Sequence, residues 1–331
     1  MYKKRSYTGR WITVWSKVSI KAIICAIVLD VLLKNPIVKA KYQFKKSEFI
    51  AGWSSLVARW AHNPKVAGSN PAPATKFSCS MSNVYEVSHD KITISFGGQA
   101  NSPVKVKELR DENQVSLTDQ GRALLAHKFP ANILFLHQTH SILGTYFNTQ
   151  AQVANFQNLI TEGDYLISSI SDLAIGILTA DCLPVVFYDP VKKITAVVHA
   201  GWRGSVAGIL PKTLADFKNL IGSDLSQIQV WFGPAARACC YEVQPEFRDN
   251  LFKASVLIDQ AILQACFVER KQRIFFDLAQ YNYELLLLND ILGHNVNRKF
   301  NLCTICNVQF CSYRRDGLES GLQITKVLLK P

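Results

Sequence analysis

Methionine is almost absent from this sequence. Of 331 residues only Met1 and Met81 are methionine, and beyond Met81 there are six histidines: His89, His127, His137, His140, His199 and His294. That supply excludes a blue-copper centre with its common axial Met, and it is too small for the histidine-rich copper cluster that reduces dioxygen. Long apolar runs are missing too. Residues 22–29 (AIICAIVL), behind Lys3, Lys4 and Arg5, faintly imitate a signal sequence, but Lys21 and Asp30 close the run after eight positions. A bilayer-spanning helix needs about 20, so no membrane association is expected. No Walker loop, GxGxxG fingerprint or GxSxG elbow occurs, which removes the commonest signatures of nucleotide and ester chemistry.

Regular cysteine spacing is also lacking. Nine cysteines are scattered through a chain well above mini-protein size, and Cys239 and Cys240 are adjacent. That usage fits a reducing, cytoplasmic compartment better than a disulfide scaffold. Net charge is +12, which would ordinarily suggest nucleic acid or an anionic surface as partner. Residues 1–80, however, carry 14 of the 37 Lys and Arg and 2 of the 25 Asp and Glu, leaving 23 of each sign for residues 81–331. The globular part is neutral, and a nucleic-acid partner is not expected.

Residues 1–80 show no sustained period and end in Asn-Pro, Gly-Ser-Asn-Pro and Pro-Ala-Pro punctuation. Gly68-Ser69-Asn70-Pro71 can be encoded by GGTTCGAATCC, the usual T-arm sequence of a transfer RNA gene. The stretch Ser54 to Lys76 therefore resembles a conceptual translation through such a gene, with the natural start at Met81. The alternative is a basic, disordered leader. Neither reading expects a packed fold over 1–80, and 81–331 is expected to be a single domain.

What the sequence does contain is concentrated between Thr179 and Gly204 (TADCLPVVFYDPVKKITAVVHAGWRG). Two buried strands, Pro184 to Tyr188 and Ile194 to Val198, are joined by a polar turn over Asp189 to Lys193. Folding that hairpin brings Cys182, before the first strand, toward His199, at the end of the second. Gly201-Trp202-Arg203-Gly204 then opens a helical pattern (Val206, Ile209, Leu210, Leu214, Phe217), offering free amides and a guanidinium to an anion.

Elsewhere, strands are expected at Lys91–Phe96, Asn132–Leu136, Asp164–Ser168, Leu173–Leu178, Gln229–Phe232, Asn301–Ile305, Gln309–Tyr313 and Ile324–Leu329. Helices are expected to end near Phe129, to start at Pro245, and to run from about Asp277 to Leu292. Strands outnumber helices without strict alternation, which reads as α+β with mixed β-sheets flanked by helices.

A Cys and a His so placed form a metal half-site, a thiolate-imidazolium nucleophile, or a chemically silent core pair. His140, delivered by the strand at 132–136 with His137 and Gln138, is the best third ligand. A His140, Cys182, His199 set is a three-ligand zinc site with one open position, the catalytic pattern. Zinc so held lowers the pKa of bound water to about 7. His137 would face away from His140 and is read as structural. Asp181 is an acid-base group or a turn residue. Cys303, Cys306 and Cys311 suggest a zinc knuckle but lack a fourth ligand, and are read as buried strand cysteines. The arginines of Tyr313-Arg314-Arg315-Asp316-Gly317 clamp phosphate or pair with Asp316.

His137-Gln138-Thr139-His140, TADCLPVVF, VVHAGWRG, Phe232-Gly233-Pro234-Ala235 with Cys240-Tyr241-Glu242-Val243, and CSYRRDG together resemble the laccase-domain family once called multicopper polyphenol oxidases. Its members are now mostly described as purine nucleoside phosphorylases with adenosine deaminase side activity. The likeness spans Lys91 to Leu329. It implies a four-layer fold similar to deamidase-toxin cysteine hydrolases, and a zinc, rather than copper, at His140, Cys182 and His199. It further implies adenosine, inosine and methylthioadenosine as substrates together with phosphate, which Arg203, Gly201, Gly204, Gln138 and Arg315 would bind. Asp181, or Glu242 nearby, would move protons. The rival in the same fold is a cytoplasmic amidase acting on a UDP-MurNAc-amino acid peptidoglycan precursor, with Cys182 as nucleophile and His199 as base. A non-catalytic zinc-binding or redox module is a third possibility, but it leaves Arg203 and the glycine turn beside the metal without a purpose. The sequence departs from the family pattern at Ala236-Arg237, at Gly321-Leu322 and in lacking an N-terminal Asn-Leu-Gly segment.

A protein beginning at Met81 is expected to fold unaided. Its thermal unfolding should match that of the full chain, and failure to give a cooperative transition would show that residues 1–80 contribute to the fold.

Overall fold

The computed structural model describes residues 85–109, 118–128 and 133–331; the expectation for residues 1–80 lies outside them. Among the described residues the strands are, in chain order, β1 (Tyr85–His89), β2 (Ile92–Phe96), β3 (Ile133–Leu134), β4 (Gly144–Phe147), β5 (Tyr165–Ser168), β6 (Ala174–Thr179) and β7 (Leu183–Asp189). There follow β8 (Ile194–Ala200), β9 (Gln229–Phe232), β10 (Glu242–Val243), β11 (Phe267–Arg270), β12 (Arg273–Phe276), β13 (Val296–Asn297) and β14 (Gln323–Leu329). The helices that matter below are α1 (Asp119–Lys128), α2 (Trp202–Ala207), α3 (Ile209–Asp216), α4 (Pro245–Ala254), α5 (Gln260–Ala265), α6 (Leu278–Leu288) and α7 (Tyr313–Asp316).

The hairpin expected from the sequence is the centre of the structure. β7 and β8 pair antiparallel with Pro184 opposite His199, and every residue of both strands is buried. Continuous apolar runs of this kind mark strands covered on both faces. The turn is an Asx turn: the Asp189 carboxylate accepts from the Val191 and Lys192 amides, each at 2.9 Å.

Three sheets result. The six-stranded sheet runs β13-β9-β7-β8-β5-β4, the five-stranded sheet β1-β2-β14-β6-β3, and a small sheet β10-β12-β11. Alternation assigns the faces of the large sheets. Val186, Tyr188 and Val197 pack toward Ile94, Ile175, Ile177 and Val327 of the five-stranded sheet. Val185, Phe187, Ala196 and Val198 point the other way, onto Leu210 and Leu214 of α3, Leu251 of α4, Leu263 of α5 and Leu285 of α6. The outer face of the five-stranded sheet carries Ile133 and Ala174, covered by Leu109 and by Leu125 of α1. The order is helix, sheet, sheet, helix, which is the mixed α+β, four-layer arrangement expected.

Two expected strands are not formed. Residues 301–305 and 309–313 are loop and turn, and Tyr313 opens α7 rather than ending a strand. The cause is Arg315, whose guanidinium donates to the carbonyls of Thr304 (2.7 Å) and Phe310 (2.9 Å), so those groups are satisfied by a side chain instead of a neighbouring strand. Ser312 caps α7 by accepting from the Arg315 amide at 3.2 Å. The helical pattern after β8 is split by Gly208, whose φ of 94° ends α2 before α3 begins. The helix expected over 277–292 is α6 alone, stopping where Asn289 leaves helical geometry and Asp290 takes φ 65°. Among the described residues no helix is long and apolar enough to cross a membrane.

Phe187 is fully buried between β7 and the helical layer, 6.1 Å ring to ring from Phe217. Phe187→Ala should cost about 3–5 kcal/mol of unfolding free energy. Chemical denaturation measures this, and a loss below about 1 kcal/mol would show that the layer does not close as described.

Candidate active site

The hairpin register places Cys182 and His199 at one end of the sheet pair. The antiparallel pairing of β5 with β8 sets Tyr165 opposite Val198, so the preceding Asp164 lies beside His199. The Asp164 carboxylate meets His199 Nδ1 at 2.7 Å and is completely buried. It also accepts from the amides of Thr139 (3.3 Å), His140 (3.0 Å) and Ser141 (2.6 Å), and from the Ser141 hydroxyl (2.7 Å). That grip folds the chain back at His140, which adopts φ 59°, a left-handed conformation histidine tolerates better than most residues.

The result brings the three candidate ligands together. Donor atoms of His140, Cys182 and His199 all lie within 4.8 Å of one another, with His140 Nε2 3.7 Å from the Cys182 sulfur. Gly201 is obligatory here by contact: a Cβ would fall 2.7 Å from His140 Cδ2 and 3.0 Å from the Cys182 sulfur. The donor set suits a borderline-soft divalent metal. Asp164 on Nδ1 leaves His199 Nε2 for the ion, the usual carboxylate–histidine–metal relay, and His140 Nδ1 is buried with no partner.

Electrostatics couple the same groups. Burial raises the Cys182 thiol, but the His199 and His140 imidazoles outweigh it and bring it down to about 6. Burial lowers His199, while the Cys182 sulfur and the Asp164 carboxylate more than reverse this and lift it to about 9. Asp164 itself is held below the ordinary carboxylate range despite burial, chiefly by its bond to His199. Without a metal, the pair is a thiolate and an imidazolium between these two values.

Other anticipated residues are placed differently. Gln138 is buried with both ends of its amide on the Leu178 backbone, at 2.8 Å each, where it replaces a strand neighbour for β6. Asp181 accepts from the Thr304 hydroxyl and from the Arg314 amide, both at 2.6 Å, and so ties two loops beside Cys182. Glu242 is paired with Arg273 across β10 and β12. Arg315 holds loop carbonyls and Asp316 and lines an outer groove with Gln99, Val308 and Glu319. Arg203 is exposed, its guanidinium 4.6 Å from the Trp202 ring centre. His137 pairs through its backbone with the segment 161–163 and does not belong to the His140, Cys182, His199 group.

Two residues, Asp164 and Tyr241, were missed in the sequence. Asp164 stood at the start of an expected strand, and only the β5–β8 register reveals its partner. Tyr241 is partly buried near Cys182, and desolvation together with the Cys182 charge raises its hydroxyl to about 12. Arg314 sits over that ring, 5.2 Å from its centre. The usable signal was CYEV beside YRRD, two motifs far apart in sequence that share this wall.

In chelator-treated protein, alkylation of Cys182 should follow a thiolate with a midpoint near 6, full above that pH and falling below it. His199→Gln should move the midpoint up toward roughly 8.5. Peptide mass spectrometry at Cys182 reads both, and a wild-type midpoint already near the ordinary thiol value would contradict the coupling.

Residues 98–330 match the family described as multi-copper polyphenol oxidoreductase laccase. The chain is 39% identical over 183 residues to a purine nucleoside phosphorylase of Borreliella burgdorferi, covering 55% of this chain and 74% of that protein. It is 28% identical over 203 residues to adenosine deaminase RL5 of an unknown prokaryotic organism, covering 60% and 76%. The crystal structure of Bacillus licheniformis YfiH superposes with a TM-score of 0.59 at 24% identity, over 72% of this chain and 93% of that one, and supports the fold. The motifs, the layers and the matched span agree: this chain belongs to the multi-copper polyphenol oxidoreductase laccase family.

Proposed function

We propose that this chain is a zinc-dependent purine nucleoside phosphorylase that accepts adenosine, inosine and methylthioadenosine, and that it deaminates adenosine at the same centre. The observation that carries the reading is the convergence of His140, Cys182 and His199 over the buried Asp164. Its family context supports it, since similar proteins are named purine nucleoside phosphorylase and adenosine deaminase. One thiolate and two imidazoles favour zinc and leave a position open. When bound, zinc supplies Lewis acidity toward the purine C6 and lowers the pKa of water there, as deamination requires.

The chain's own residues do the rest. We assign phosphate to Arg203 of α2, the helix that begins at Gly201 beside His140 and Cys182, and to Arg314 of α7, whose amide holds Asp181. A phosphate oxygen forms the bond to ribose C1′ as the bond from C1′ to the purine nitrogen breaks, and the departing purine takes a proton. We assign that proton to Tyr241, which stays protonated at neutral pH. Asp181 keeps the loops bearing Thr304 and Arg314 against Cys182. Small nucleosides and phosphate are thus the partners, and the neutral charge balance of 81–331 offers little affinity for nucleic acid.

A second reading has one observation in its favour. Asp164, His199 and Cys182 stand in the order of a carboxylate–imidazole–thiolate triad, which suits hydrolysis of an amide such as a UDP-MurNAc-amino acid.

Incubation with adenosine and phosphate, with and without chelator, separates the two. Wild type should release ribose-1-phosphate and adenine, with some inosine. Chelation and His140→Asn, which keeps a residue tolerant of left-handed φ, should each lower turnover by about 100-fold or more, since even the partners behind a metal ligand are worth roughly 10–100-fold. Inertness toward nucleosides, with amide cleavage that survives chelation but not Cys182→Ser, would transfer the assignment to the amidase.

A further inference from the structure

The cysteines read from the sequence as buried strand residues are neither in strands nor three in number. Cys303 and Cys306 lie in the loop that Arg315 holds, and the turn over residues 238–240 brings Cys239 and Cys240 to them. The four sulfurs all lie within 4.8 Å of one another, and those of Cys239 and Cys306 are 3.9 Å apart. That separation is far beyond a disulfide. It matches the edge of a tetrahedron with metal–sulfur bonds of about 2.3 Å, which is about 3.8 Å. Cys311, the third member of the expected knuckle, is buried elsewhere and takes no part.

The loops are fixed before any ion arrives. Ala235 and Cys303 form a parallel bridge, with the Ala235 amide on the Leu302 carbonyl and the Thr304 amide on the Ala235 carbonyl, each at 3.0 Å. Arg237 donates to the Asn301 carbonyl at 2.6 Å, and Arg270 to the carbonyls of Ala238 and Cys239 at 2.8 and 2.9 Å. Cys239 and Cys306 are exposed, which gives an ion a route in.

We propose that Cys239, Cys240, Cys303 and Cys306 bind a second zinc ion in a closed tetrathiolate site. Four protein ligands leave no open position, so its role is structural. It joins the loop that ends at Tyr241 to the loop where Thr304, between the two ligands Cys303 and Cys306, holds Asp181 next to Cys182. The metal therefore fastens one wall of the active centre. The assignment is independent of which reaction that centre performs.

The full chain, purified under reducing conditions, should contain two zinc ions per chain by plasma mass spectrometry. His140→Asn and the pair Cys303→Ser with Cys306→Ser should each retain one. Should the paired variant not fold, cobalt(II)-loaded His140→Asn protein decides the matter, because only the four-sulfur site can then give strong thiolate-to-cobalt absorption with tetrahedral ligand-field bands. A single zinc that disappears with His140→Asn, the absence of that absorption, a Cys239–Cys306 disulfide in freshly reduced-lysate protein, or iron with acid-labile sulfide would each overturn the proposal.

Discussion

The bond between Asp164 and His199 is the constraint on which the centre depends. A carboxylate with no exposure cannot stay charged without partners, and Asp164 finds them in His199 Nδ1, the amides of residues 139–141 and the Ser141 hydroxyl. Those partners belong to two distant parts of the chain, the loop after β3 and the end of β8. Satisfying one buried charge thus folds the His140 loop onto the hairpin and fixes the His199 ring, with the same atoms doing both. The helical layer adds the remaining side: Gly201 starts α2 where any Cβ would collide with His140 and Cys182.

How much of this was legible follows from where the information sits. The β7–β8 hairpin, its turn and the approach of Cys182 to His199 were readable because a single local pattern specifies them: two apolar runs around Asp189-Pro190. His140 was readable as a candidate ligand because a strand delivers it. Asp164 was not, because its role depends on the register between β5 and β8, which no local pattern encodes. Gln138 misled for a related reason, its amide substituting for a strand partner of β6. The segment 301–316 misled because its alternating apolar residues imitate strands, while Arg315 supplies the hydrogen bonds from the side. The four-cysteine cluster needed the Ala235–Cys303 bridge, a contact between residues 68 apart, before its second half could be seen.

The word copper in the family description sits poorly with these residues. A blue-copper site draws on two imidazoles, one thiolate and a weak axial thioether. The centre supplies the first three donors, but beyond Met81 there is no methionine to complete it. Asp181 and Tyr241 line the wall instead, with Arg314 over the ring. A polar, cationic rim suits an anion and a hydrogen-bonding heterocycle better than it suits an electron-transfer partner.

Whether Cys182 acts as ligand or nucleophile is settled by competition between a proton and a metal for one set of atoms. A metal at the centre requires His199 to be neutral, while the Asp164 carboxylate and Cys182 thiolate hold it protonated up to about 9. Removing that proton at pH 7 costs about 3 kcal/mol, two units at roughly 1.4 kcal/mol each. Cys182 needs no such correction, being a thiolate above about 6. Protein zinc sites with thiolate and imidazole ligands bind with apparent free energies of about 10–16 kcal/mol, several times this cost. On the proposed reading zinc would displace the proton, and the sulfur lone pair that would attack an amide would then be engaged. The same coupling that makes the metal-free pair nucleophilic has already deprotonated one ligand, and Asp164 serves both states by holding His199 in place.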